Sequence, residues 1–487
     1  MLVVLCVLSL WIARIHRHIQ TEANNEPPFV PYWIPYIGNA IAYGKNYYQL
    51  FASVKATSPH MKLASLTLMG HHIYIVTRPQ DVLAVYKSNA LQFEPIIVWG
   101  MGVMFGLSPE GQKLLIDESN GRSLIFQSNP FFRQALSKGD SLDDFASRFQ
   151  DFLTGEFKLL AQTIKASPNN TLEIDLLEWV WTCMGTASTI ALMGNEIFTH
   201  EPNLLKCSWK FEHDLSTFQM HYPPFLAYSK YQNREHLIQA FLKVYQAGQL
   251  DSTNTVWWLH QAQKMSRECG LTNRDIAIMT FGTWTAATSN TSLAAFWLLM
   301  HIISNPNLMF DIQNESSDFI HQPLPKSQTV EQSSLFSSVF NEMLRHYSTA
   351  ISYRGVMDNT SIAGYTFRKG AMVICPGRLQ HLDPDIWGPD VDDFVPDRFV
   401  RSSTEGAIQG NPNWLKPFGG GVSLCPGRFF ATSSIMNFVA SLLNQFEIHI
   451  QPGQKIPKLD ISASNIGVGI PTNSIKAVIR QRQNGDT

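Results

Sequence analysis

The chain has 487 residues, 45% of them hydrophobic and only 16% charged, with a net charge of −2. This composition suits a large buried core and excludes extensive disorder, and the near-neutral balance excludes the basic excess of a nucleic-acid binder. The six cysteines are scattered with no CxxC pair, which argues against both a disulfide framework and a zinc site and fits a reducing compartment.

Residues 1–20 contain the apolar run LVVLCVLSLWIA followed by Arg14, His16, Arg17 and His18. A full membrane span needs about 20 apolar residues, so the run is short. No small-residue cleavage site precedes the charges, so a membrane anchor is expected rather than a cleaved signal; the alternative is a buried core helix. Arginines just after the run place the bulk of the chain on the cytoplasmic side. Prolines 27, 28, 31 and 35 make residues 21–40 a stiff hinge. From 41 to 487 there is no low-complexity linker, repeat or shift of composition, and one continuous body is expected.

Within that body, SLTLMG and HHIYIV (65–76) predict two short strands around a glycine turn, followed by a helix from RPQDVLAVYKS. Helices are predicted over 144–164 and from Thr272 to about Ile303. In LFSSVFNEMLRHY, Leu335, Val339 and Met343 form one apolar row and Phe336, Phe340 and Leu344 the next, which predicts a helix buried on a wide face. SIAGYTF and AMVICP predict further strands, a loop-rich region follows over 381–424, and a last helix begins after Cys425. The fold class is therefore mainly α with small β-sheets.

The tetrapeptide CPGR occurs twice, at Cys375 and at Cys425. Cys375 closes an ordinary strand, where a free cysteine behaves as a small hydrophobe. Cys425 follows PFGGGVSL, whose glycines let the backbone turn tightly and approach a flat object, and it precedes a helix start that favours a thiolate. Those neighbours assign Cys425, not Cys375, as a thiolate offered to a planar metal cofactor.

Phe418, Gly421, Cys425 and Gly427 make the pattern F-x-x-G-x-x-x-C-x-G, which resembles the haem-binding signature of the cytochrome P450 superfamily. Two further motifs occur in the family's order: E-x-x-R as Glu342 and Arg345, and FVPDRF with Arg398. With the anchor and the proline hinge, the resemblance spans the whole chain. It implies a cytochrome P450 fold over 41–487, haem b with Cys425 as axial ligand, and a buried ionic lock of Glu342, Arg345 and Arg398. It implies Arg354 as a cation for a haem carboxylate. The sequence departs from the family at Ser423, where Arg or His is usual; Arg122 and Arg133 are candidate replacements.

A second departure lies in the long helix, where the family places an acid before a threonine and this chain has Asn290 and Thr291. The resemblance implies that Thr291 passes protons to the oxygen being activated; Asn290 cannot ionise, so protons must travel through ordered water. TSNTS also reads as a kinked stretch of core helix whose hydroxyls bond back to carbonyls four residues earlier, and the two readings are compatible. Both departures resemble the sterol 7α-hydroxylase and prostacyclin synthase branch and microsomal enzymes of fungal specialised metabolism. By family position the substrate pocket draws on 99–107, Ala287, Ala350, Ile351, Ile466 and Val468, nearly all apolar.

These features imply a monooxygenase at the endoplasmic reticulum membrane, with its catalytic body in the cytosol, acting on a bulky lipophilic metabolite such as a terpenoid, sterol or prenylated indole. No G-x-G-x-x-G follows a strand, so electrons are expected from NADPH–cytochrome P450 reductase, with or without cytochrome b5. The alternatives are a haem-thiolate isomerase or dehydratase of a peroxide, which needs no reductase, and a non-catalytic haem protein. The sequons at Asn169, Asn290, Asn314 and Asn359 are expected to stay unmodified in a cytosolic body.

Overall fold

The computed structural model describes residues 25–34, 36–57, 63–119, 123–248, 257–320, 334–401, 412–461 and 467–482. The expected anchor over 1–20 lies outside them, as do Arg122 and Ile466. The chain is mostly helical with small sheets, as its patterning predicts. It gathers into two compact units, one drawn from 1–97, 348–392 and 409–425 and the other from 98–347, 393–408 and 426–487.

The first unit is built on a five-stranded sheet in the order Leu63–Leu68, His71–Val76, Met372–Pro376, Ile351–Val356 and Leu91–Gln92. The first pair is an antiparallel hairpin whose two turn residues, Met69 and Gly70, both have positive φ (48° and 82°), the twist that two-residue hairpins favour. Its second strand then runs parallel to Met372–Pro376. Tyr74 at its centre stacks on Phe367, with ring centroids 4.4 Å apart, and its hydroxyl donates to buried Glu26 at 2.9 Å. The proline-rich segment lies along the sheet edge: Val30 N–H donates to Ser65 O (2.9 Å), and Ser65 N–H to Pro28 O (2.8 Å). Proline itself has no N–H, so the segment donates through Val30 and accepts through Pro28.

The second unit centres on the helix Asn273–Ile303. Thr272 caps its first turn, its side chain accepting the Asp275 N–H. By length and composition this helix could cross a membrane, but most of its apolar stretch is buried within the protein. Hydrophobic on all sides, it behaves as a core helix must. Tryptophans anchor it through their indole N–H groups, Trp284 to Thr189 Oγ1 (2.8 Å) and Trp297 to Gly469 O (2.8 Å). The helix Asp140–Ala166 sends Phe145 and Phe149 edge-on to Phe430 and packs Phe157 edge-on to Phe446. Within the segment 99–107, expected to contribute to the pocket, Met101–Phe105 form a π-helical turn closed by Gly106 in the left-handed region. Phe105 packs into an aromatic cluster with Phe211 and Phe281, so this residue is core.

Candidate functional site

The ionic lock lies wholly in the second unit. Glu342 and Arg345 share one face of the helix Ser334–Tyr347 and are fully buried; Arg398 is 8% exposed. Arg345 meets the carboxylate side-on, Nε to Oε2 and Nη2 to Oε1, both at 2.8 Å. Arg398 Nε donates to Oε1 at 3.0 Å, and so does the Val395 N–H. His346, which the sequence reading passed over, adds its Nε2 at 3.4 Å from Oε1 and 3.0 Å from Asp393 O. Burial pushes the Glu342 carboxyl up, but the Arg345 and His346 hydrogen bonds outweigh it and hold the pKa at about 2.

The two cysteines lie in different surroundings. Cys375 is a strand residue, 2% exposed, and burial raises its thiol to about 12 although Arg354 opposes the shift. Cys425 is half-buried at the end of the glycine loop, its N–H donating to Phe418 O at 3.0 Å. The helix Arg428–Gln445 begins three residues later, with Gly427 at its N-cap. The loop's close approach is to Tyr86: a Cβ on Gly420 would lie 2.5 Å from that ring, and one on Gly421 would lie 2.4 Å from Tyr86 O. Tyr86 in turn hydrogen-bonds Ser352 through its hydroxyl (2.8 Å), pinning loop to sheet.

Arg354 joins that assembly. It is 4% exposed, sits over the Tyr86 and Phe93 rings at 5.3 Å each, and donates to Tyr353 O (2.7 Å) and Gly420 O (3.4 Å). Among the described residues no carboxylate forms an ion pair with it. A buried guanidinium hydrogen-bonded to carbonyls, with no carboxylate closer than longer-range Glu94, is costly, and burial lowers its pKa. Ser423 lies in a 3-10 turn of the same loop, and Arg133 sits half-buried on the helix Leu124–Ala135.

On the long helix no break interrupts 273–303. The hydroxyls bond back instead: Thr288 to Trp284 O (2.9 Å), Thr291 to Ala287 O (3.0 Å) and Thr288 O (2.9 Å), Ser292 to Thr288 O (2.9 Å). Asn290 has a partner the sequence did not suggest. Its Oδ1 accepts the Val468 N–H at 2.9 Å, across 178 residues. Gly467 makes this approach feasible, since its φ is +139° and a Cβ there would lie 2.2 Å from that oxygen. Ser289, the preceding residue, donates to Glu212 on the helix Leu204–Gln219. Burial pushes the Glu212 carboxyl up to about 7, against the lowering effect of that bond. Of the expected pocket residues, Ala287 and Ala350 are half-buried and use their carbonyls for Thr291 and Gly377, Ile351 begins a strand, and Val468 is buried.

A family model described as Cytochrome P450 matches residues 27–478. The chain belongs to the cytochrome P450 family. It is 24% identical over 463 residues to a cytochrome P450 monooxygenase of Gibberella zeae, covering 92% of this chain and 86% of that one. It is 22% identical over 499 residues to cytochrome P450 7A1 of Sus scrofa, covering 96% and 95%. Against the human 7-alpha-hydroxycholest-4-en-3-one 12-alpha-hydroxylase the identity is 23%, covering 93% and 92%. Among solved structures, a retinoic acid bound cyanobacterial CYP120A1 superposes with a TM-score of 0.69 at 16% identity, over 94% of this chain and 99% of that one. This P450 is an oxidoreductase of the monooxygenase type. The family implies haem iron on a cysteine thiolate, and the first unit fits that group: it offers a half-buried cysteine and, beside its loop, a buried cation in want of an anion.

Two outcomes follow. Glu342→Ala leaves two arginines facing an empty site and should cost roughly 3–5 kcal/mol, read as lost haem content and a lowered melting temperature. Because the folded Glu342 pKa is depressed from 4.5 to about 2, its stabilisation is complete above about pH 4.5 and is lost as pH falls through 2. A parent protein whose stability stays flat over that acid window would contradict the pairing. Asn290→Ala should strand the buried Val468 N–H at a cost of about 1–3 kcal/mol, measurable by denaturant unfolding.

Proposed function

We propose that this P450 is a membrane-anchored, endoplasmic-reticulum monooxygenase that oxidises a bulky lipophilic metabolite such as a terpenoid, sterol or prenylated indole. Its electrons come from NADPH–cytochrome P450 reductase, with or without cytochrome b5. Cys425 would hold the haem iron through its thiolate, Phe418, Gly421 and Gly427 shape its loop, and Arg354 would pair with a haem carboxylate. Haem, when bound, supplies the activation of dioxygen.

The observation that carries this reading is Thr291, a buried hydroxyl on the core helix, which gives its own proton to a helix carbonyl. Its oxygen keeps lone pairs to accept with, and a change of χ1 rotamer frees the proton for delivery. Such a relay serves a reaction that consumes protons; a peroxide isomerase consumes none. Beside the water-ordering role its sequence position suggests, Asn290 holds the C-terminal turn against the helix through Val468. A carboxyl does meet this stretch from a second helix: Glu212 accepts the Ser289 hydroxyl. Support for a lipophilic substrate comes from the apolar expected pocket residues and from relatives whose names specify a sterol ketone hydroxylase.

Thr291→Ala tests the proposal. In the presence of reductase the variant should still consume NADPH and oxygen but release peroxide in place of oxygenated product, with the haem spectrum and substrate-induced spectral shift retained. Product formation that is unchanged in the variant and independent of reductase would defeat the monooxygenase relay and favour the isomerase.

A further inference from the structure

We propose that Glu201, Cys207 and His236 form a divalent-metal site of the zinc type, built on the corner between three helices. One ligand atom of each, a carboxylate oxygen, a thiol sulfur and an imidazole nitrogen, lies within 4.8 Å of the other two. The sequence argued against zinc because it holds no clustered cysteines, but these ligands come from separate elements. Glu201 is the C-cap of Glu196–His200, Cys207 sits in the first turns of Leu204–Gln219, and His236 projects from Tyr228–Gln246.

The cradle is fixed by backbone rather than by mobile loops. The Glu201 N–H donates to Ile197 O (2.9 Å), and its Oε1 accepts the Asn203 N–H (3.1 Å), which turns Oε2 toward His236 Nε2 at 2.5 Å. Asn233, one turn before His236, donates its side-chain amide to Cys207 O (3.0 Å), so the same face of one helix grips both the cysteine backbone and the glutamate. Glu201 is 8% exposed and holds the inner position, whereas the His236 side chain is 53% exposed and leaves a path for an ion.

One thiolate, one imidazole and one carboxylate match the borderline-soft preference of zinc, with a fourth, solvent-facing position left for water. Ligands about 2.0–2.3 Å from a shared ion stand roughly 3–4 Å apart, so modest side-chain adjustments close the triangle. Zinc takes the place of the thiol proton, which leaves to solvent, while the imidazole offers Nε2 as its Nδ1–H tautomer; no electrons move. The bound ion would tie the corner preceding Leu204–Gln219 to the helix after it.

The test uses the reduced full-length holoprotein, stripped with chelator, desalted and titrated with zinc chloride, with calorimetry for stoichiometry and zinc K-edge absorption for ligands. One zinc per chain is expected, with one sulfur near about 2.3 Å and nitrogen or oxygen near about 2.0–2.1 Å. Cys207→Ser should remove the sulfur shell, and both it and His236→Gln should weaken binding more than the roughly 100-fold that loss of a mere outer-shell partner can cause. Both variants should keep the reduced carbon-monoxide spectrum, which reports an intact fold. Zinc bound without sulfur, binding unchanged in either variant, or no zinc retained would overturn the site.

Discussion

Two arginines and a histidine around one buried carboxylate set the terms for the second unit. A carboxylate at 0% exposure is tolerable only when every lone pair is answered, and Glu342 is answered by Arg345, Arg398, His346 and the Val395 N–H. These partners come from two stretches about fifty residues apart, so the charge arrangement dictates where the chain after Asp393 must lie. Around it the packing is aromatic: His301 stacks on Phe394 with centroids 3.6 Å apart, and its ring, buried beside His346, has its pKa lowered to about 3. A neutral His301 can accept from the Tyr347 hydroxyl at 2.7 Å without adding a third cation.

The long helix is a core element that also buries a run of polar side chains. Its tryptophans fix it at both ends of the middle stretch, and between them lies a run of hydroxyls that satisfy themselves on helix carbonyls. Such bonds keep polar side chains buried without external partners, and they break at small cost when a better acceptor arrives. Asn290 and Ser289 bring in distant chain at neighbouring positions, one the turn at Val468 and the other the carboxyl of Glu212. Substitutions there act through position as well as through chemistry.

Much of this was legible in the sequence wherever the cause is local. The hairpin over 63–76 follows from two short strand-forming runs around the glycine turn at Met69 and Gly70, and the helix Ser334–Tyr347 from two adjacent apolar rows, of which only Leu335 stays half-buried. Cys375 and Cys425 were separable because strand residues flank one and glycines the other. What escaped was long-range. Nothing near Asn290 announces Val468, nothing near the glycine loop announces Tyr86, and the helical turn at Met101–Phe105 is hidden by glycines that suggest a loop. His346 follows the E-x-x-R motif directly, and its signal was the i,i+4 spacing from Glu342.

The claim that the cysteine after the glycine loop holds the haem iron is tested most directly by the reduced carbon-monoxide difference spectrum of two single variants. Cys425→Ser should lose the thiolate-ligated haem band, whereas Cys375→Ser, altered at a strand position whose thiol is buried and protonated, should keep it. A band that survives in Cys425→Ser and vanishes in Cys375→Ser would contradict the account.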